Sequence, residues 1–244
     1  MHIKRTAGPE TERKTMLRVL YTDQDIIVAV KPAGVESQAA RKFAPDMISE
    51  IRKYLVINKM CTPGKEPYVA VIHRLDKPVS GVMVYGRTKK AAAALSEQVQ
   101  NRKMEKIYEA VVCGKPVNNV DNYVDYLLKS VDGNYSQVVD KGITSAKRAE
   151  LSFETVEIKE TAEGTLSLVR IRLKTGRHHQ IRVQFAHHGL PLYGDNRYNP
   201  APGAGPLALC AVSLSFVHPT TGKSMTFSID PQGGAFERFD AGKK

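Results

Sequence analysis

Two apolar segments of strand type, YVAV at residues 68–71 and VMVY at 82–85, bracket a charged loop, IHRLDKPVSG at 72–81, which is closed by Pro78 and Gly81. Runs rich in valine and tyrosine that stop at proline and glycine read as strands entering and leaving a turn. Any fold built on them holds Asp76 on a turn at a strand end. Where strand geometry persists into the loop, residues two apart face the same way, so Arg74 and Asp76 share one side and His73 and Leu75 the other. By itself an Arg-Leu-Asp tripeptide fits an exposed ion pair, worth at most about 1 kcal/mol, more readily than a reactive centre.

The rest of the chain alternates strands with a few helices. Residues 17–21 and 26–30 read as a hairpin that ends in the turn Lys31-Pro32-Ala33-Gly34. Met47, Ile48, Ile51, Leu55 and Val56 recur at helical spacing over 45–56, with Pro45 in the first turn, and 58–67 reads as a loop. After a strand at 82–86, Thr88 is placed to cap an alanine-rich helix reaching about residue 102. Residues 104–114 alternate as a strand, with Lys106, Tyr108 and Ala110 on one face and Ile107, Glu109 and Val111 on the other. Turn-forming pairs through 115–150, with Lys129, Lys141, Lys147 and Arg148, predict short strands and protruding basic loops. A hairpin follows at 151–158 and 165–173, then a break at Thr175-Gly176. Residues 177–188 fit a helix capped by Gly189, which sets Arg177 at its start, directed toward a central cleft. Residues 207–217 and 223–229 supply the last strands. The expected organisation is a flexible basic tail at 1–15, one folded domain at 16–232 and a polar tail at 233–244.

Composition narrows the class. With 42% hydrophobic and 25% charged residues in 244, the chain is that of a folded protein and not a disordered one. No apolar run approaches the ~20 residues of a membrane span, and the first residues lack the apolar core of an export signal, so the expectation is a cytoplasmic protein without membrane contact. A formal net charge of +11 suits a polyanion partner, because lysines and arginines that neutralise phosphates release condensed counterions. Charge alone fits ribosome-associated and membrane-surface proteins as well. Cys61, Cys113 and Cys210 are odd in number and widely spaced, which argues for reduced thiols and against a disulfide or zinc framework. His178, His179, His187 and His188 lack the cysteine or HExxH partners of a metal centre, so no metal is expected. No GxxxxGK or GxGxxG loop is present, and no cofactor is expected.

HRLDKPVSG at 73–81 resembles the signature loop HRLDxxTSG of the RluA family of pseudouridine synthases. KIYEAVVCG at 106–114 is similar to the segment around that family's active-site tyrosine, LKTGRHHQIRVQ at 173–184 resembles its TGRxHQIR segment, and DIIVAVKPAG at 25–34 its opening strand and turn. LPLYGDNRYN at 190–199 and LALCAVSLSFVHPTTGK at 207–223 complete the set in the family's order, over roughly residues 17–230. Three positions depart from the pattern: Val79 and His178 where threonine is usual, and Cys210 where histidine is common.

The resemblance implies an α+β chain with the pseudouridine synthase fold: a mixed, mainly antiparallel central sheet, flanking helices and a central active-site cleft. It implies a stand-alone catalytic domain without the small N-terminal RNA-binding domain many members carry, acting as a monomer on structured RNA, a ribosomal or transfer RNA stem-loop, and not on DNA. Asp76 is then the essential carboxylate, Tyr108 the active-site aromatic, and His73, Arg74 and Arg182 lie against the substrate. The chemistry agrees with the residue types. A base inside folded RNA must leave its stack to react, and the planar guanidinium of Arg74 suits the gap left behind. Isomerising uridine needs one carboxylate, which either adds covalently or removes a ribose proton; the sequence leaves both routes open. In a cleft lined by Leu75, Val79 and Tyr108 that carboxylate calls for a fixed cation beside it, the place given to Arg177. Tyr108 is suited to stacking on the uracil and relaying the C5 proton. The rival class is a non-catalytic RNA-binding or ribosome-assembly module, and a metal-dependent hydrolase built on the histidines fits poorly.

Overall fold

The computed structural model describes residues 17–39, 46–132 and 134–239. The expected basic tail at 1–15 and Pro45 lie outside the described residues. Strands β1 (Arg18–Thr22) and β2 (Ile26–Lys31) form the expected hairpin and lead to helix α1 (Met47–Ile57). Asp46 caps α1 by accepting from the Ser49 amide at 2.8 Å, leaving Met47, Ile51 and Leu55 as its buried stripe. β3 (Ala70–Val71) and β4 (Ser80–Gly86) flank the Asp76 loop, and Thr88 caps α2 (Lys89–Gln100), accepting from Ala91 at 3.1 Å. Then come β5 (Glu105–Cys113), β6 (Val120–Lys129), β7 (Ser136–Val139), β8 (Lys147–Thr161), β9 (Gly164–Leu173), α3 (Gln180–His187), β10 (Leu209–Val217) and β11 (Ser224–Ser228).

These strands make one sheet in the order β1-β2-β4-β10-β5-β9-β8-β6-β7, with β3 paired to β4 and β11 to β10. Every join is antiparallel except that between β4 and β10, so the architecture is the α+β, mainly antiparallel mixed sheet that was expected. The parallel join fixes the reactive loop. Ser80 and Gly81 pair with Cys210 and Ala211, and a Cβ on Gly81 would lie 2.5 Å from Ala211 atoms. With φ at +140° as well, only glycine fits where the loop re-enters the sheet.

Alternation along β5 feeds both faces. Tyr108, Ala110 and Val112 pack with Val169 and Ile171 of β9 and with Ile181 and Phe185 of α3, while Val111 joins Leu168, Tyr193 and Ala208 on the other side. Burying a side chain such as Phe185 contributes about 1.5–3 kcal/mol.

Four expectations change. The strand expected over 68–71 shortens to Ala70–Val71. The region 115–150 holds a ten-residue strand, β6, because Tyr123 and Leu127 point inward while Val120, Asn122 and Val124 face out. The helix expected from 177 starts at Gln180, after His179 takes a left-handed φ of 54°. The polar tail expected from 233 instead makes a 3-10 helix, Gly234–Arg238, which buries Ala235 and the following Phe239 against β5 and β9; two apolar anchors suffice to dock an otherwise polar segment.

Candidate active site

The Asp76 loop is anchored from below by the opening hairpin's turn. Lys31 is fully buried, and its Nζ donates to the carbonyls of Pro32, Val35 and Lys77 at 3.1, 2.6 and 3.1 Å. Burial pushes this ammonium down to about 8, against the pull of Asp76. The Gly34 amide donates to the Lys77 carbonyl at 2.8 Å, and Ser37 Oγ both donates to the Leu75 carbonyl (2.9 Å) and accepts from the Leu75 amide (3.0 Å). Both neighbours of Asp76 in the chain are therefore tied down, and its own carbonyl accepts from Val79 at 3.0 Å. The sequence marked Lys31 as part of a turn and gave no sign that its charge would be buried as a clamp.

The cation beside Asp76 is Arg182 and not Arg177. Arg182 Nη1 lies 3.4 Å from Asp76 Oδ2, and its Nε and Nη2 make a two-point pair with Asp195 at 2.8 and 2.7 Å. Asp195 is wholly buried and Arg182 only 7% exposed, while Asp76 keeps 30% of its side chain open. Burial works against the charge on Arg182, but the Asp195 pair outweighs it and the guanidinium is held above its ordinary range. Tyr198 presents its ring 5.2 Å from the same guanidinium. Gly194, at φ +74°, lets Asp195 reach this place, since a Cβ there would meet the Pro206 carbonyl at 2.1 Å.

Arg177 sits in the loop before α3, where Gln180 Oε1 accepts from Thr175 Oγ1 (2.8 Å) and from the Arg177 amide (3.0 Å). The later helix start swings its side chain outward, and its Nε donates to the Arg148 carbonyl at 3.0 Å. Arg182 was expected against the substrate and stands instead where Arg177 was expected, beside Asp76. One signal could have found it: an arginine between Ile181 and Val183 on a buried helix needs an acid.

His179 Nε2 lies 3.6 Å from Asp76 Oδ2, and burial pushes its imidazole down to about 4. The Tyr198 hydroxyl accepts from the Ser136 amide at 3.0 Å, which leaves its proton for His179 Nδ1 at 2.8 Å. A neutral ring accepting at Nδ1 carries its proton on Nε2, facing the carboxylate.

Tyr108 is 7% exposed, and burial, with Asp76 and Cys210 adding to it, drives its hydroxyl far above the ordinary phenol range. It stays a neutral phenol, able to pass a proton through its oxygen but a poor phenolate base. Leu75, Val79 and Cys210 are buried close by, the thiol pushed up to about 11 by burial. Arg74, expected against the substrate, is exposed to solvent. His73 is not against the substrate: it is buried, its Nε2 accepts from the Val84 amide at 3.4 Å, and burial pushes it down to about 3. Strand alternation put His73 opposite Arg74 and Asp76, and that opposite side is the core. In the second tandem pair, His187-His188, His188 stacks on Tyr123 with ring centroids 3.8 Å apart.

A half-open carboxylate with a guanidinium and an N–H on one side and a neutral phenol in the same cleft is suited to attack or proton transfer on a neutral heterocycle and its sugar. Comparison with known proteins agrees. The profile of the RNA pseudouridylate synthase family matches residues 25–187. The chain is 29% identical over 226 residues to ribosomal large subunit pseudouridine synthase D of Zymomonas mobilis, covering 88% of this chain and 69% of that protein. It is 30% identical over 226 residues to ribosomal large subunit pseudouridine synthase C of Escherichia coli O157:H7, covering 88% and 67%. In fold it is similar to human RNA pseudouridylate synthase domain containing 4, with a TM-score of 0.70 over 88% of each chain at 20% identity. With that profile spanning most of the chain and its motifs converging on one cleft, the chain belongs to the RNA pseudouridylate synthase family.

Proposed function

We propose that this protein converts uridine to pseudouridine in a structured RNA, with Asp76 as the reacting carboxylate and Arg182 as its fixed cation. The observation that carries the assignment is the Arg182 guanidinium, held by buried Asp195 and set 3.4 Å from an acid that remains open to the cleft. In the reaction the bond from N1 to the ribose breaks, the uracil turns, C5 joins the ribose, the C5 proton leaves and N1 gains one. Asp76 either adds covalently or takes a ribose proton, Tyr108 stacks on the ring and relays the C5 proton, and Arg74 fills the space of the everted nucleotide.

Large-subunit ribosomal RNA is the first candidate substrate, supported by the names of the two bacterial relatives, and a transfer RNA stem-loop is the second. The net charge of +11 supports an RNA partner over an uncharged one. A cytoplasmic monomer acting on RNA and not on DNA completes the reading.

The test is to incubate wild type, Asp76→Asn and Asp76→Ala with total bacterial RNA and map pseudouridine. Wild type should modify discrete uridines, and either variant should lose at least about 10³-fold in rate while still binding RNA. No product from wild type on any RNA leaves the non-catalytic binding module as the better account. Full activity in either variant removes Asp76 from the chemistry.

A further inference from the structure

Beside the Asp76 cleft, on the same face of the sheet as α3, lies a second cavity of about 330 Å³ whose described lining includes Lys129, Lys147, Arg177, His178 and Ser136 and no acid. Strand register brings its cations together. Leu127 of β6 pairs with Lys147 of β8, and Lys129, two residues on, pairs with Ser136 of β7. Residues two apart on a strand share a face, so one surface carries Lys129, Lys147 and Ser136 around the buried Leu127. Arg177 closes the rim. Its Nε is fixed on the Arg148 carbonyl, and its Nη groups make no hydrogen bond among the described residues.

The wall between this cavity and Asp76 is two imidazoles thick. His178 accepts or donates at Nδ1 with Ser136 Oγ at 2.9 Å and stacks on His179 with centroids 3.7 Å apart, and His179 Nε2 is 3.6 Å from Asp76. Three cations, a hydroxyl and an aromatic edge above an apolar floor can take one phosphodiester and the nucleoside attached to it.

We infer that this cavity binds a nucleotide of the RNA strand immediately flanking the everted uridine, with Lys129, Lys147 and Arg177 on its phosphates and His178 against its base or sugar. The inference takes RNA as substrate class from the function proposed above. It also gives Arg177 a place: it is a strand-holding residue at the cleft's rim.

The experiment measures binding of a fluorescent twelve-residue oligouridylate across a salt series, a probe that needs no turnover. Lys129→Gln/Lys147→Gln should weaken binding roughly tenfold or more at 0.1 M salt and flatten the dependence of log affinity on log salt by about 0.7 per lost contact. Arg177→Gln should behave as a single lost contact. Lys129→Arg/Lys147→Arg should keep the wild-type slope. The charge-matched double variant Lys89→Gln/Lys90→Gln, at the exposed start of α2, should change the slope far less. An unchanged slope in the Lys129/Lys147 variant, or an equal loss in the α2 control, overturns the inference. Failure of the function reading is separate: it is seen as wild type making no pseudouridine while the slope difference between the two double variants persists.

Discussion

Arg182 is gripped by two carboxylates and nearly sealed from solvent, whereas Arg177, a few positions earlier on the same segment, touches one backbone carbonyl and opens onto a basic cavity. The contrast separates two uses of one residue type. A guanidinium taken out of water must be paired, and the pair that pays for its burial also fixes its geometry, so Arg182 can hold an acid in one place. A guanidinium at the rim keeps free donors and is suited to a polyanion that comes and goes. The same division runs through the neighbours. Asp195, Lys31 and Tyr108 are buried on the floor, while Lys129 and Lys147 are exposed above it.

Replacing each arginine in turn would break the contrast or sharpen it. Arg182→Met strands Asp195 as a buried charge, so it should lose about 3–5 kcal/mol of stability in urea titrations as well as at least about 10²-fold in turnover. Adding Asp195→Leu should restore much of the stability and none of the activity. Arg182→Met retaining wild-type turnover would mean that the floor arginine is structural only. Next in size, Tyr108→Phe should slow single-turnover pseudouridine formation by about 10²-fold with RNA affinity unchanged, since stacking survives and the proton relay does not. An unchanged rate would limit Tyr108 to stacking.

Two histidines that burial keeps neutral give a smaller, pH-dependent effect. His73 and His179 are pushed down to about 3 and about 4, so below roughly pH 6.5 the unfolded chain binds protons that the folded protein refuses. Stability should therefore fall as pH drops from about 6.5 toward 4, by up to about 1.4 kcal/mol per pH unit for each histidine. His73→Gln should make that decline shallower between pH 7 and pH 5, and parallel curves would show that burial does not hold this ring neutral. Smallest of all, Arg177→Met should raise KM several-fold and leave the single-turnover rate at saturating RNA near wild type. A collapse of that rate would restore Arg177 to the chemistry.

Much of the fold was legible because its signals are local. Thr88 capped the helix it was expected to cap, β5 alternated as its residues alternate, and the hairpin of β8 and β9 formed around its turn. The errors fall where two segments compete for one place. Gln180 turns its side chain back onto Thr175 and Arg177, which delays α3 and sends Arg177 away from the cleft, and nothing local in TGRHHQIR announces that bond. Phe239 docks a tail whose average composition is polar.

The sequence by itself determined that an acid stands on a turn between two strands, that the chain is basic, and which motifs accompany that acid, because strand period, turn residues and charge are properties of near neighbours. The tertiary structure alone decided which arginine meets Asp76, that Lys31 is buried as a clamp beneath the loop, and that His73 belongs to the core. Those outcomes depend on contacts between distant segments, Arg182 of α3 with Asp76, Lys31 of β2 with the Lys77 carbonyl and His73 with the Val84 amide of β4, and on the cost of leaving a charge or a polar atom without a partner, and both are settled only when those segments pack together.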